Sequence, residues 1–269
     1  MEPEAYFQRI GFDGSQDASL STLQELHSLH SQAIPFENLD AFLSREVSVQ
    51  PQEVFHKLVV QGRGGYCFEQ NLLFATMLKQ LGFTVSEHAA RVVWRSQDKT
   101  QIPRTHMLLK ITVDGNAYIA DVGFGGLTMT APLLLEPGLL QHSSHEAFRI
   151  SQNAEEYTIS VRLQDDWKPM YIFDLVSQYP VDFEMANHYV ATYPQSIFLH
   201  NLMLGRVSED GRHALLNRQY TKYQLDGSKV SETIDDADRL ISLLENAFKI
   251  KLQETVDLAA LRNKFAQLE

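Results

Sequence analysis

Near Val85 the hydrophobic period of this chain changes, and the change fixes its class. Upstream, apolar residues recur at three- and four-residue spacings, as one face of a helix requires; downstream they alternate, as in a half-buried strand. The fold class is therefore α+β. Leu20 to His30 repeats leucine every third residue until Pro35 breaks the pattern. Pro51 to Val59 reads as a second helix with proline in its first turn, ending toward Gly62. A third runs from about Tyr66 to Leu81, with Gly82 as its stop.

In the middle third, Thr105 to Val113 and Asn116 to Val122 are strand-like and joined by Asp114-Gly115, a strong two-residue hairpin signal. Further strands are expected at Glu156 to Leu163 and Met170 to Leu175, so this third reads as a largely antiparallel sheet or barrel. Beyond Tyr193-Pro194 come Arg206 to Val207, Leu215 to Tyr223 and the turn Asp226-Gly227. Helical spacing returns at Asp236 to Phe248 and Asp257 to Gln267. The sequence carries no internal repeat or low-complexity tract.

The 269 residues suffice for about two domains or three small ones. A net charge of -11 without a Lys/Arg stripe argues against a nucleic-acid partner, whose affinity comes from neutralised phosphates. No stretch approaches the roughly 18 apolar residues of a membrane helix. Met1 to Tyr6 carries two acids and no basic region, so no signal peptide is read and a cytoplasmic protein is expected. The one cysteine, Cys67, excludes an internal disulfide, Cys-rich zinc sites and CxxC chemistry. It is either an inert core residue or a nucleophile.

Cys67 follows Gly64-Gly65-Tyr66 and falls in the first turn of a predicted helix, where unpaired N–H groups and the macrodipole favour a thiolate. A base is found by counting along the hairpin. If Asp114-Gly115 is a two-residue loop, Val113 faces Asn116, Leu108 faces Asp121, and His106 becomes a diagonal neighbour of Asp121, roughly 7 to 8 Å away at the backbone. The other face then pairs Met107 with Val122, Leu109 with Ala120 and Ile111 with Tyr118, all apolar but for one hydroxyl. A carboxylate on a histidine fixes its tautomer, freeing the other nitrogen to take a proton from a thiol. Cys67, His106 and Asp121 would be nucleophile, base and orienter. The glycine-rich run Gly123-Phe124-Gly125-Gly126 follows and offers exposed amides to a phosphate or an oxyanion.

Four segments together resemble the arylamine N-acetyltransferases: Ala33-Ile34-Pro35-Phe36-Glu37-Asn38-Leu39-Asp40, Arg63-Gly64-Gly65-Tyr66-Cys67-Phe68-Glu69-Gln70-Asn71, Thr105-His106-Met107-Leu108-Leu109, and Asp121-Val122-Gly123-Phe124-Gly125. The resemblance implies an N-terminal helical bundle over 1–84, a middle antiparallel β-barrel over 85–190 and a C-terminal α/β lid over 191–269. It implies ping-pong transfer of acetyl from acetyl-CoA, through Cys67, to an arylamine, hydrazine or N-hydroxyarylamine, with His106 and Asp121 completing a cysteine-protease-like triad. It further implies acceptor contacts at Phe36, Phe124 and Phe198 and CoA contacts at Asn71, Gly125 and Gly126, in a monomer or homodimer without metal or membrane association. A basic rim including Arg63, Arg206 or Lys222 is expected around the CoA phosphates. The competing reading is a transglutaminase-like amidase using the same triad. His27 with His30, and His142 with His145, have helical metal-clasp spacing but no third ligand, so surface or capping roles are expected for them.

Overall fold

The computed structural model describes residues 1–94, 96, 98–252 and 255–268. Its first third contains helices α1 (Pro3–Ile10), α2 (Leu20–Ala33), α3 (Leu39–Phe42), α4 (Pro51–Phe55) and α5 (Cys67–Gln80), with a short strand β1 (Phe36–Glu37) between α2 and α3. Ser19 caps α2 by accepting the Thr22 N–H. The helix expected from Pro51 to Val59 changes character after Phe55 and continues as a π turn, His56–Val60. Such a turn rotates the side chains that follow it, a geometry common near functional sites.

The middle of the chain forms an eight-stranded antiparallel sheet in the order β5-β4-β3-β2-β9-β8-β7-β6. Its strands are β2 (Thr84–Val92), β3 (His106–Val113), β4 (Asn116–Ala120), β5 (Leu133–Leu134), β6 (Leu140–His142), β7 (Ala147–Asn153), β8 (Glu156–Leu163) and β9 (Asp166–Ser177). The hairpin has the register read from the sequence: Val113 faces Asn116, Ile111 faces Tyr118 and Leu109 faces Ala120. Asp114 at φ 50° and Gly115 at φ 78° supply the two left-handed residues that a tight hairpin turn needs. The strand expected to reach Val122 ends at Ala120, so Asp121 leaves the ladder with its carboxylate free to be held by side chains. The two edge strands meet through Gln141, whose amide donates to the Leu134 carbonyl at 2.8 Å and accepts the Leu134 N–H at 2.7 Å. That stitch nearly closes a barrel around Phe148, Ile150, Ile159, Val161 and Tyr171.

Helices α6 (Pro180–Thr192) and α7 (Ile197–His200) lead to a second antiparallel sheet, β10 (Met203–Ser208), β11 (Gly211–Leu216), β12 (Gln219–Gln224) and β13 (Lys229–Thr233), covered by α8 (Ala237–Asn246) and α9 (Leu258–Ala266). The distant β1 joins this sheet at its edge, with Phe36 opposite Gly205 and Glu37 opposite Leu204. Leu39 and Phe42 follow it into a core with Leu204, Leu215, Leu240, Phe248 and Phe265. In turn Phe183, Val190 and Ala191 of α6 pack into the core of the first helices. Helix α6 has no sequence periodicity because its apolar residues occupy both faces: Val181, Met185 and Tyr189 are exposed.

Replacing Gln141 by Ala removes both hydrogen bonds of the barrel stitch and leaves the Leu134 amide unpaired, at an expected cost of about 1–3 kcal/mol. Urea unfolding measures the loss, and hydrogen exchange should accelerate at Leu134 before it does at Ile159.

Candidate active site

Helix α5 starts at Cys67 because the chain before it is pinned. A Cβ on Gly64 would lie 2.2 Å from the Pro35 carbonyl oxygen, and one on Gly65 would lie 2.6 Å from Glu69 Oε2. Only glycine allows the strand-like segment Pro35–Glu37 and the capping carboxylate to approach so closely. Tyr66 is the extended N-cap residue, and its N–H donates to Glu69 Oε2 at 3.0 Å. Cys67 is thereby the first helical residue, with its thiol in the positive field of the helix terminus. It is 5% exposed, and its Sγ points to the Thr105 carbonyl at 3.7 Å.

His106 begins β3, and its Nε2 lies 2.7 Å from Asp121 Oδ2. The other oxygen of Asp121 accepts from Asn71 Nδ2 and from the Gly123 N–H, each at 2.9 Å. Asn71 also donates to the Met107 carbonyl at 2.8 Å and accepts the Val122 N–H at 3.0 Å. Cys67 and Asn71 are one helical turn apart, so a single face of α5 carries both the thiol and the clamp on the carboxylate. The Asp121 N–H donates to His27 Nε2 at 3.3 Å. Gly123 completes the junction, since a Cβ there would lie 2.7 Å from the Cys67 Cα.

The charges follow from these contacts. Burial alone would push His106 down, but the Asp121 carboxylate, with a lesser contribution from Cys67, raises it to about 10. Burial likewise opposes ionisation of Asp121, and is outweighed by His106, Asn71 and the Gly123 N–H, which hold it below the usual carboxylate range. His27, at 0% exposure, is pushed by burial to about 4 even beside Asp121. It is therefore a neutral acceptor at physiological pH. Such a cysteine, imidazolium and carboxylate set can deliver a thiolate to an acyl carbon and hold the proton that leaves the sulfur.

Aromatic rings flank the triad-like cluster. Phe124 meets the His106 ring edge-on at 5.5 Å, and Tyr171 lies over it at 4.9 Å. Phe198 joins Phe36 at 6.4 Å to Tyr66 at 5.6 Å, next to Cys67. Of the three expected phenylalanines, Phe124 meets the His106 ring, while Phe36 and Phe198 lie against each other and, through Phe198, the Tyr66 ring. From the sequence, Tyr66 and Tyr171 have no assigned role and His27 is expected at the surface or as a cap; Tyr66 lies in plain view beside Cys67, whereas Tyr171 and His27 are brought in from distant elements without a local signal. Among the glycines, Gly125 turns at φ +91° with its N–H bound to Thr128 Oγ1 at 2.8 Å, whereas Gly126 is exposed and has only the Ala214 Cβ, at 4.0 Å, near its open side.

Three expectations meet surroundings that the sequence did not show. Asn71 is 0% exposed with its amide committed to Asp121, Met107 and Val122. Arg63 is no rim residue but is 2% exposed, ion-paired with Glu37 at 2.7 Å and Asp40 at 3.2 Å. Lys222 is paired with Asp210 at 2.6 Å, and Arg206 donates to the carbonyls of Ala247, Gln32 and Val207. His27 and His30 are core residues, with His30 bridging Tyr6 at 2.9 Å and Gln70 at 2.7 Å. Among the described residues, no group of three or more His, Cys, Asp or Glu side chains is placed to hold a metal ion.

A family model described as N-acetyltransferase matches residues 19–256. The chain is 37% identical over 262 residues to an arylamine N-acetyltransferase of Escherichia coli K12, covering 95% of this chain and 93% of the relative. It is also 37% identical over 251 residues to an arylamine N-acetyltransferase / N-hydroxyarylamine O-acetyltransferase of Salmonella typhimurium, covering 93% and 89%. The fold is similar to that of a Mycobacterium marinum arylamine N-acetyltransferase solved in complex with CoA, with a TM-score of 0.94, 32% identity and 98% of each chain covered.

An imidazole raised from 6.5 to about 10 stays protonated through neutral pH. The stability contributed by His106 protonation is complete below pH 6.5 and is lost as pH rises through about 10, whereas that contributed by Asp121 ionisation is lost as pH falls through its lowered range. Ring-nitrogen NMR should show His106 as imidazolium at pH 8, and Asp121→Asn should bring its titration down below the ordinary 6.5, because burial then acts without the counter-charge.

Proposed function

The chain belongs to the arylamine N-acetyltransferase family, and we propose that it carries acetyl from acetyl-CoA to an aromatic amine, hydrazine or hydroxylamine through a thioester on Cys67. The observation that carries this reading is the 2.7 Å His106–Asp121 contact, clamped by the same helix that begins at Cys67. The match to an N-acetyltransferase family favours acetyl transfer over hydrolysis of an amide by the same three residues.

In the first half-reaction the Cys67 thiolate attacks the acetyl carbonyl, a carbon–sulfur bond forms, and the CoA sulfur leaves with the proton held by His106. In the second, neutral His106 takes a proton from the acceptor nitrogen or oxygen as that atom attacks the thioester. The bond to Cys67 Sγ then breaks, and the thiolate is restored beside the imidazolium. Thioester is exchanged for thioester in the first step, so the acyl-enzyme keeps the energy of the donor; a serine ester would be the poorer acetyl donor. Asp121 holds the ring and stabilises its charge in both halves.

Transfer to an amine rather than to water requires a dry cysteine, and Cys67 at 5% exposure, with aromatic rings against His106 and Tyr66, supports that. A planar aromatic acceptor suits such walls. For the donor, the open flank of Gly126 gives an extended pantetheine arm and its phosphates room against exposed backbone, while the Gly125 N–H is spent on Thr128. The partners of Arg63 and Lys222 make backbone contact, rather than a ring of free cations, the main anchor for those phosphates.

Incubation with acetyl-CoA and no acceptor should add a single acetyl group of about 42 Da to the intact protein and nothing to Cys67→Ala. Addition of an arylamine should discharge it. Absence of the adduct, with hydrolysis during the assay excluded, would overturn the thioester route.

A further inference from the structure

Behind the turn that presents Cys67, on residues the proposed chemistry does not use, lies a buried cluster of two cations and three carboxylates. Lys57 Nζ bridges Asp40 Oδ2 at 2.6 Å and Glu69 Oε1 at 2.7 Å. Arg63 bridges the same Asp40 oxygen to Glu37. Glu37 in turn accepts the Leu39 N–H at 2.7 Å. Lys57 reaches this position from the π turn that follows α4. A cleft of about 330 Å³, lined by Asp40, Glu53, His56, Lys57 and Glu69 among others, opens onto the cluster from the surface.

Glu69 has two bonds that matter. One oxygen holds Lys57; the other takes the Tyr66 N–H and lies against Gly65, where a Cβ would be 2.6 Å away. The backbone of Gly65, Tyr66 and Cys67 is thus seated on one carboxylate, and that carboxylate is seated on one lysine. Burial is the usual reason for a carboxyl to lose its charge, and a protonated Glu69 cannot accept from both partners as the carboxylate does.

We propose that Glu69, seated on Lys57, is a positioning residue for Cys67 that holds the nucleophile's turn in its reactive geometry only while its carboxylate is ionised. The inference rests on the reading of Cys67 as the nucleophile. Burial, helped by the Glu37 and Asp40 charges and opposed by Lys57, brings Glu69 to about 7. The other groups facing it are Tyr66 and Cys67 from its own helix, Arg63 through Asp40, and Glu53 and His56 along the cleft. His106, raised to about 10, titrates well above that range. The cleft gives the proton a route to Glu69 that does not pass through the active site.

The test is the pH dependence of Cys67 alkylation by iodoacetamide, which needs no acetyl-CoA. The wild-type rate should rise through an inflection near pH 7. In Glu69→Gln the inflection should vanish and the rate should stay roughly tenfold below the wild-type plateau, the effect of a turn displaced by a fraction of an ångström. In Lys57→Met, where Glu69 survives without its cation, the inflection should move up by about one pH unit or more. A wild-type profile without that inflection, or one that neither substitution changes, overturns the proposal. Should Glu69→Gln fail to fold, the wild-type profile and the Lys57→Met shift still decide. If alkylation behaves as stated but acetyl-CoA leaves no adduct on the wild-type protein, the fault lies with the acetyl-transfer reading and not with Glu69.

Discussion

A carboxylate at 0% exposure is costly unless its charge is shared, and Asp121 shares it with an imidazolium, a side-chain amide and a backbone N–H. Those donors come from three places: His106 from the start of β3, Asn71 from the second turn of α5, and Gly123 from the segment that leaves β4. Satisfying one buried charge therefore fixes how the helical third meets the barrel. The thiol is carried along by the same constraint, because Cys67 lies one turn before Asn71 and its Cα occupies the space a Gly123 side chain would need. The geometry of the Cys67, His106 and Asp121 cluster and the packing of the helices on the barrel are one problem in this protein, solved by the same hydrogen bonds.

The second constraint acts from the opposite side of Cys67. Segment Pro35–Glu37 pairs with β10, bridges to Gly65, and supplies Glu37 to the Arg63 ion pair. The C-terminal sheet, the turn that leads into Cys67 and the buried charge cluster are consequently joined through three residues of extended chain. Buried ion pairs are poor sources of net stability, since desolvation offsets their attraction. Their value here is geometric: two of the three carboxylates that hold a cation also receive a backbone N–H, Glu37 from Leu39 and Glu69 from Tyr66. A slip of the turn would strand a charge.

What the sequence made legible was what local rules govern. The Asp114-Gly115 hairpin set a register that placed His106 and Asp121 together, and the glycine pair before Cys67 marked a helix start. The period-two pattern announced a sheet, but the weaker strands escaped: β7 has Arg149 and Ser151 facing out between Phe148 and Ile150 over only a short run, and β5 is two residues held by Gln141. Helix α6 escaped because its exposed face is as apolar as its buried one. Asn71 was assigned to a ligand by resemblance, yet its role depends on which groups lie within 3 Å of its amide in the folded chain, and no spacing along the sequence encodes that. His27 is the same case, since Asp121 is 94 residues away.

The residues expected in a basic rim are paired within the fold for a reason that extends beyond one arginine. Arg9 donates to the Ala33 carbonyl and Arg206 to that of Gln32, both at the C-terminal end of α2. Arg206 also reaches Ala247 at the end of α8, and Arg218 reaches Phe265 and Leu268 at the end of α9. These guanidinium groups meet the unpaired carbonyls and the negative pole of each helix, where a cation is stabilising. With Arg63 and Lys57 inside the ion cluster, five of the 23 basic side chains of a chain already at -11 close its own helices and turns. On the proposed reading, a polyanionic donor meets exposed backbone such as that of Gly126 rather than a dense ring of cations.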